Sequence, residues 1–219
     1  MIDVENYICN LIALLKERFG ERLIYVGLQG SYLRGEATPD SDIDVMVVID
    51  KLNVFDLDGY QTIIRSMEHN EKACGFICGK DDLAHWNPLE ICHLINSTKD
   101  YFGVLSDLVP AYTVCDIRNF VKTSVNNLYH EICHGYIYAQ RNISELISAY
   151  KCVFFILQNL YYLKHQKFVQ TKDELLRLLN GQDYVVLKCL IDFNNGEQLA
   201  FSESFQLLFT WCQETLKAV

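Results

Sequence analysis

"GSYLRGEATPDSDIDVMVV", residues Gly30 to Val48, sets Asp40, Asp42 and Asp44 within five positions and then enters an apolar strand. Residues two apart on a strand face the same way, with Cα atoms roughly 6–7 Å apart. Asp42 and Asp44 therefore stand side by side, while Ile43 and Val45 point to the opposite face. Two carboxylates at about 6 Å and an effective dielectric near 20 repel by roughly 2–3 kcal/mol. Solvation, a basic partner or a divalent cation has to offset that cost. Upstream, Gly30-Ser31 follow the strand expected over 23–29 and open a short helical turn, Ser31 to Arg34, which Gly35 breaks. Glycine allows close backbone approach, and amides at a helix start attract anions. Thr38-Pro39-Asp40-Ser41 reads as a turn with proline fixing its second position. An anion cradle ahead of two carboxylates suits a nucleoside triphosphate carrying Mg²⁺, which takes one or two protein carboxylates and completes its shell with phosphate oxygen and water.

Around this stretch the first half alternates. Apolar positions Val4, Tyr7, Ile8, Leu11, Leu14, Leu15 and Phe19 predict a helix over 4–19 that stops at Gly20. Strands are expected at 23–29 and 42–50, a helix near 56–69, and short strands around 73–78 and 89–95. After Pro110 the strand signals cease. Helices are expected over 116–140, 144–166, 183–193 and 202–217, with Thr171 to Glu174 as a capping box opening a further helix that Gly181 closes. The fold class is α+β: an N-terminal α/β domain with a mixed sheet over 1–110, then an antiparallel helical bundle over 111–219, with the boundary in the loop near 106–113.

Several features read more plainly as structure. His130-Glu131-Ile132-Cys133-His134 has the zinc-protease spacing. The apolar stripe of that helix, however, runs Ile117, Val121, Val125, Leu128, Ile132, so both imidazoles fall on the polar side. Cys74, Cys78 and Cys92 with His85 or His93 lack a second ligand pair at a familiar zinc spacing and read as buried thiols. Tyr150, Phe154, Phe155, Tyr161 and Tyr162 read as bundle core and margin. Arg34 reads as a surface cation, and Asp116 and Glu145 as acids with no assigned role.

Nine cysteines and no secretion signal point to reduced thiols in a cytoplasm. The N-terminal helix is amphipathic, so no membrane association is expected. A net charge of −9, with Lys and Arg scattered, argues against a nucleic-acid partner, whose backbone calls for a basic stripe.

The pattern GS-x3-G-x5-SD-x-D, followed by an apolar run, resembles the signature of the DNA polymerase β-like nucleotidyltransferase superfamily. Gly30, Ser31, Gly35, Ser41, Asp42 and Asp44 carry the match. The helical second half is similar to that of small bacterial members, among them antibiotic nucleotidyltransferases and minimal nucleotidyltransferases paired with helical proteins. The resemblance implies that Gly30, Ser31, Gly35 and Ser41 serve the triphosphate of ATP or another NTP. Asp42 and Asp44 would hold two Mg²⁺ ions, and a third carboxylate would come from a later strand. Leu89-Glu90-Ile91 is the best match to that strand, which nominates Glu90, with Asp81 and Asp82 as rivals in the first turn of a short helix. The implied activity moves a nucleoside monophosphate, AMP from ATP foremost, onto a hydroxyl of a small-molecule acceptor such as an antibiotic, and releases pyrophosphate. The alternatives are a protein-adenylylating, antitoxin-like enzyme and a nucleotide-binding module without turnover.

Overall fold

The computed structural model describes residues 2–138 and 141–219. The chain divides into two compact units, Met1–Ala111 and Tyr112–Val219.

In the first unit, helix α1 (Val4–Phe19) begins where the Asp3 carboxylate accepts the Asn6 amide at 3.1 Å, and ends at Gly20. It buries Tyr7, Ile8, Leu11, Leu15 and Phe19, one stripe at helical spacing. Strand β1 (Leu23–Leu28) leads through the one-turn helix α2 (Gly30–Arg34) into β2 (Ile43–Ile49). Helix α3 (Val54–Ser66) returns the chain to β3 (Ala73–Gly79). Helices α4 (Lys80–Ala84) and α5 (Pro88–Asn96) precede β4 (Lys99–Phe102). The sheet order is β3-β2-β1-β4, with β2 and β3 parallel and the other pairs antiparallel, so the sheet is mixed.

β2 is the best-buried strand because both faces are covered. Ile43, Val45, Val47 and Ile49 join the apolar cluster formed with α1 and α3. Met46 and Val48 join the opposite cluster with Tyr25, Cys78, Leu83 and Leu105. Each aliphatic side chain buried this way contributes roughly 1.5–3 kcal/mol. Near the far end of β2, Arg22 ties three segments together. Its guanidinium donates to both carboxylate oxygens of Asp56 at 2.9 and 3.0 Å, to Asp50 at 2.9 Å and to the Lys51 carbonyl at 2.7 Å. Asp56 also closes a capping box with Asn53 at the start of α3.

Two expectations need correction. Residues 89–95 are not a strand. Asn87 caps a helix there by accepting the Leu89 amide, Pro88 occupies its first turn, and Ile91 and Cys92 form its buried side. The strand that closes the sheet edge is β4, whose half-polar Lys-Asp-Tyr-Phe carries little apolar alternation. Likewise Gly181 does not end a helix but opens one, with Asn180 as its cap.

The second unit is helical: α6 (Val114–Tyr138), α7 (Ile143–His165), α8 (Lys172–Leu178), α9 (Gly181–Asn194) and α10 (Phe201–Ala218). The last two residues of the helix expected over 116–140 lie outside the described residues. Helix α7 is long and apolar enough to cross a membrane by length and composition. Here Tyr150, Val153, Phe154 and Leu157 on it lie in the core of the unit with Leu187, Leu190, Leu208 and Trp211. Two polar groups of this core are paired with residues distant in sequence: Tyr150 donates to the Ser204 carbonyl at 2.8 Å, and the Trp211 indole to Asp183 at 2.8 Å.

Leu187→Ala should destabilise the second unit by roughly 2–5 kcal/mol in chemical denaturation, the usual cost of a core cavity. Arg22→Ala tests the first unit. Arg22, the chief cause, together with the Asn53 amide, holds the Asp56 carboxyl below its ordinary value. That stabilisation is present above the unfolded aspartate pKa, about 3.9, and is lost as pH falls through the depressed folded value. The variant's Tm deficit at pH 7 should therefore shrink in acid; a deficit independent of pH would exclude the ion pair as its cause.

Candidate functional site

The candidate site is built at the head of β2. Alternation along the strand sends Ile43 and Val45 into one core and Asp44 to the other face, with Asp42 exposed just before the strand begins. The Gln29 amide donates to the Asp44 carbonyl at 2.9 Å, which docks the end of β1 onto the start of β2. Gly30 follows with φ +70, and a Cβ at that position would fall on the Asp44 carboxylate. A side chain there would both strain the backbone and displace the acid.

Other expected residues have structural duties. Gly35 ends α2 in the left-handed conformation, its amide donating to the Ser31 and Tyr32 carbonyls. Gln29 is the N-cap of α2, and Ser31 is the second residue of that turn. The first amides of a helical turn have no intrahelical acceptor, which leaves those of Gly30 and Ser31 for other partners. The Ser41 hydroxyl accepts the Thr38 amide at 2.9 Å, and the Ser41 amide donates to the Thr38 carbonyl at 3.0 Å. Ser41 thus fastens the turn that delivers Asp42.

The electrostatics single out Asp44. Burial first, and the Asp42 charge after it, push its carboxyl above the ordinary carboxylate range, while a thiol hydrogen bond from Cys74 and the Arg34 charge pull the other way. Arg34 stands near enough for its charge to act on Asp44, and its Nε donates to Glu36 at 3.0 Å. A half-buried carboxylate whose ionisation is disfavoured, beside a second acid, is relieved by a cation, and its hard oxygen donors suit Mg²⁺.

Glu90 is a correction. It sits exposed on α5 and accepts the Trp86 indole N–H at 2.9 Å, not on a strand beside the aspartates. Among the described residues no three His, Cys, Asp or Glu side chains gather as a metal-holding group. Of the rivals, Asp82 accepts the Gly79 amide at 3.1 Å and Asp81 is exposed. His130, Glu131 and His134 are exposed on α6, opposite its buried stripe. Cys78 and Cys92 are buried, but Cys74 is exposed beside Asp44, a neighbour that the sequence did not announce. Only the strand register discloses it.

Asp44→Asn has a signed consequence. A raised folded pKa means that the ionised form costs the folded state, increasingly as pH rises through that value. The variant should accordingly have a higher Tm than the wild type at pH 8 in EDTA, and should gain less from added Mg²⁺. A lower Tm in EDTA would show that the Asp44 charge stabilises the fold.

Residues 8–102 match the family model described as nucleotidyltransferase domain. A curated relative, protein adenylyltransferase MntA from Thermococcus cleftensis (strain DSM 27260 / KACC 17922 / CL1), is 53% identical over 38 residues, 17% of this chain. The match spans 36% of that relative's length. Among solved structures, spectinomycin adenyltransferase AAD(9) from Enterococcus faecialis, with ATP and spectinomycin, is similar at a TM-score of 0.64 and 14% identity. That likeness covers 97% of this chain and 99% of the other, and it is one of fold.

Proposed function

We propose, for a chain whose N-terminal unit is a nucleotidyltransferase domain, that it transfers AMP from ATP to a hydroxyl of a small-molecule acceptor and releases pyrophosphate. The observation that carries this reading is the pairing of Asp42 and Asp44 at the head of β2, with the Asp44 carboxylate packed against Gly30. The amides of Gly30 and Ser31 receive the triphosphate at the start of α2. Asp42 and Asp44 would hold Mg²⁺ beside that triphosphate. Magnesium, when bound, neutralises the polyphosphate and makes an acceptor hydroxyl a better nucleophile. Ser41 and the Thr38 turn keep Asp42 in place, and Gly30 keeps the cradle close enough to Asp44 for one nucleotide to reach both. Such chemistry is positioning and charge neutralisation, so the chain needs no nucleophile of its own.

The adenylyltransferase names of both relatives support adenylate as the group moved, and the acceptor class follows the spectinomycin named with the structural neighbour. A protein acceptor is the second reading, favoured by the protein adenylyltransferase similar over a short stretch.

The test uses labelled ATP with Mg²⁺ and two acceptor panels, aminocyclitols and other polyols in one, candidate proteins in the other. Asp42→Asn and Asp44→Asn should each reduce transfer by about a hundredfold or more, since the bound ion stabilises the transition state by several kcal/mol. Transfer that persists in both variants would sink the assignment. Gly30→Ala should lose Mg²⁺·ATP binding, with a stability loss of at least about 1–2 kcal/mol from the left-handed backbone alone.

Binding of Mg²⁺·ATP should also weaken as pH falls, because the raised carboxyl of Asp44 must lose its proton to take a cation. Calorimetry from pH 8 downward measures this, and an affinity that stays flat down through the ordinary carboxylate range, about pH 4, would exclude Asp44 as a ligand.

A further inference from the structure

Asp44 has a built neighbour on each side. Toward β1 it meets Gly30. Toward β3 it meets Cys74, its register partner in the parallel pair. Register partners on adjacent strands lie about 4.8 Å apart and project to the same face. The Cys74 side chain is exposed, and the register sets it beside the Asp44 carboxylate, within reach of its thiol. The next residue fixes the strand there. Gly75 has φ +112, and a Cβ on it would fall on the Val45 carbonyl, so β3 is pressed against β2 directly beside the acid.

We propose that Cys74 is a positioning residue of the cation site. Its S–H donates to one oxygen of Asp44 and, with Gly30 behind, holds the carboxylate in the rotamer whose second oxygen faces the cation and the nucleotide. Asp42, at the exposed edge, has no such restraint and adjusts to the ion. This assignment rests on the two-aspartate reading of the site. It goes beyond that reading by giving the β3 edge a task and by placing an uncharged donor beside Asp44 in the position expected of a third acid. A thiol there orients Asp44 without adding a third negative charge to a pair already in repulsion.

The experiment is calorimetric titration with ATP, in Mg²⁺ and in EDTA, on the wild type, Cys74→Ser and Cys74→Ala. Cys74→Ala should weaken Mg²⁺·ATP binding by about ten- to a hundredfold, the worth of one hydrogen bond to a charged group, while leaving ATP binding in EDTA unchanged. Cys74→Ser keeps a donor and should restore most of the loss. Equal weakening in Ser and Ala, or wild-type binding in Ala, overturns the positioning role while the aspartate site stands. If the wild type itself binds ATP equally well with and without Mg²⁺, the two-aspartate reading fails before any Cys74 variant is consulted, and the role of Cys74 fails with it.

Discussion

A carboxylate at the head of the central strand governs the first unit. β2 is paired on both edges and covered on both faces, so any charge on it loses much of its water. Placing Asp44 at the second position of the strand leaves it half-buried, where its ionisation is costly but a ligand can still reach it. Gly30, α2, the Thr38–Ser41 turn and the β3 edge are all arranged around that acid. The same group deeper in the strand would be sealed among Met46 and Val48.

The remaining sheet supplies rigidity for this arrangement. α1 and α3 seal one face with aliphatic residues, and the Arg22–Asp50–Asp56 network locks the opposite end of β2. An element held at its far end by a bidentate arginine and along its length by two apolar clusters moves little at its head. That is what pre-organised charge requires: the reorganisation cost is met during folding rather than at the moment of binding.

The second unit illustrates why a motif needs its surroundings. His130 and His134 have the zinc-protease spacing, yet Val121, Val125, Leu128 and Ile132 decide which side of α6 faces the core, and the imidazoles are left on the exposed side. In α7, membrane-like hydropathy has an equally ordinary cause. A helix surrounded by others in a bundle buries most of its circumference, so it turns apolar almost all round.

Read alone, the amino-acid sequence determined the division into a mixed α/β half and a helical half, the GS turn, and Asp44 facing away from Ile43 and Val45. These follow from local rules: side-chain alternation, helical periodicity, and the chemistry of glycine, proline and capping residues. Tertiary structure alone decided what lies beside Asp44. Glu90 looked strand-borne because Leu-Glu-Ile fits a strand as well as a helix over so few residues, and Asn87-Pro88 tipped it to helix. β4 was too short and polar to be seen, and Cys74 reached the site only through the β2–β3 register. Strand pairing is a long-range contact, set by how two cores pack against one sheet, and no local pattern along the chain encodes which residues end up abreast.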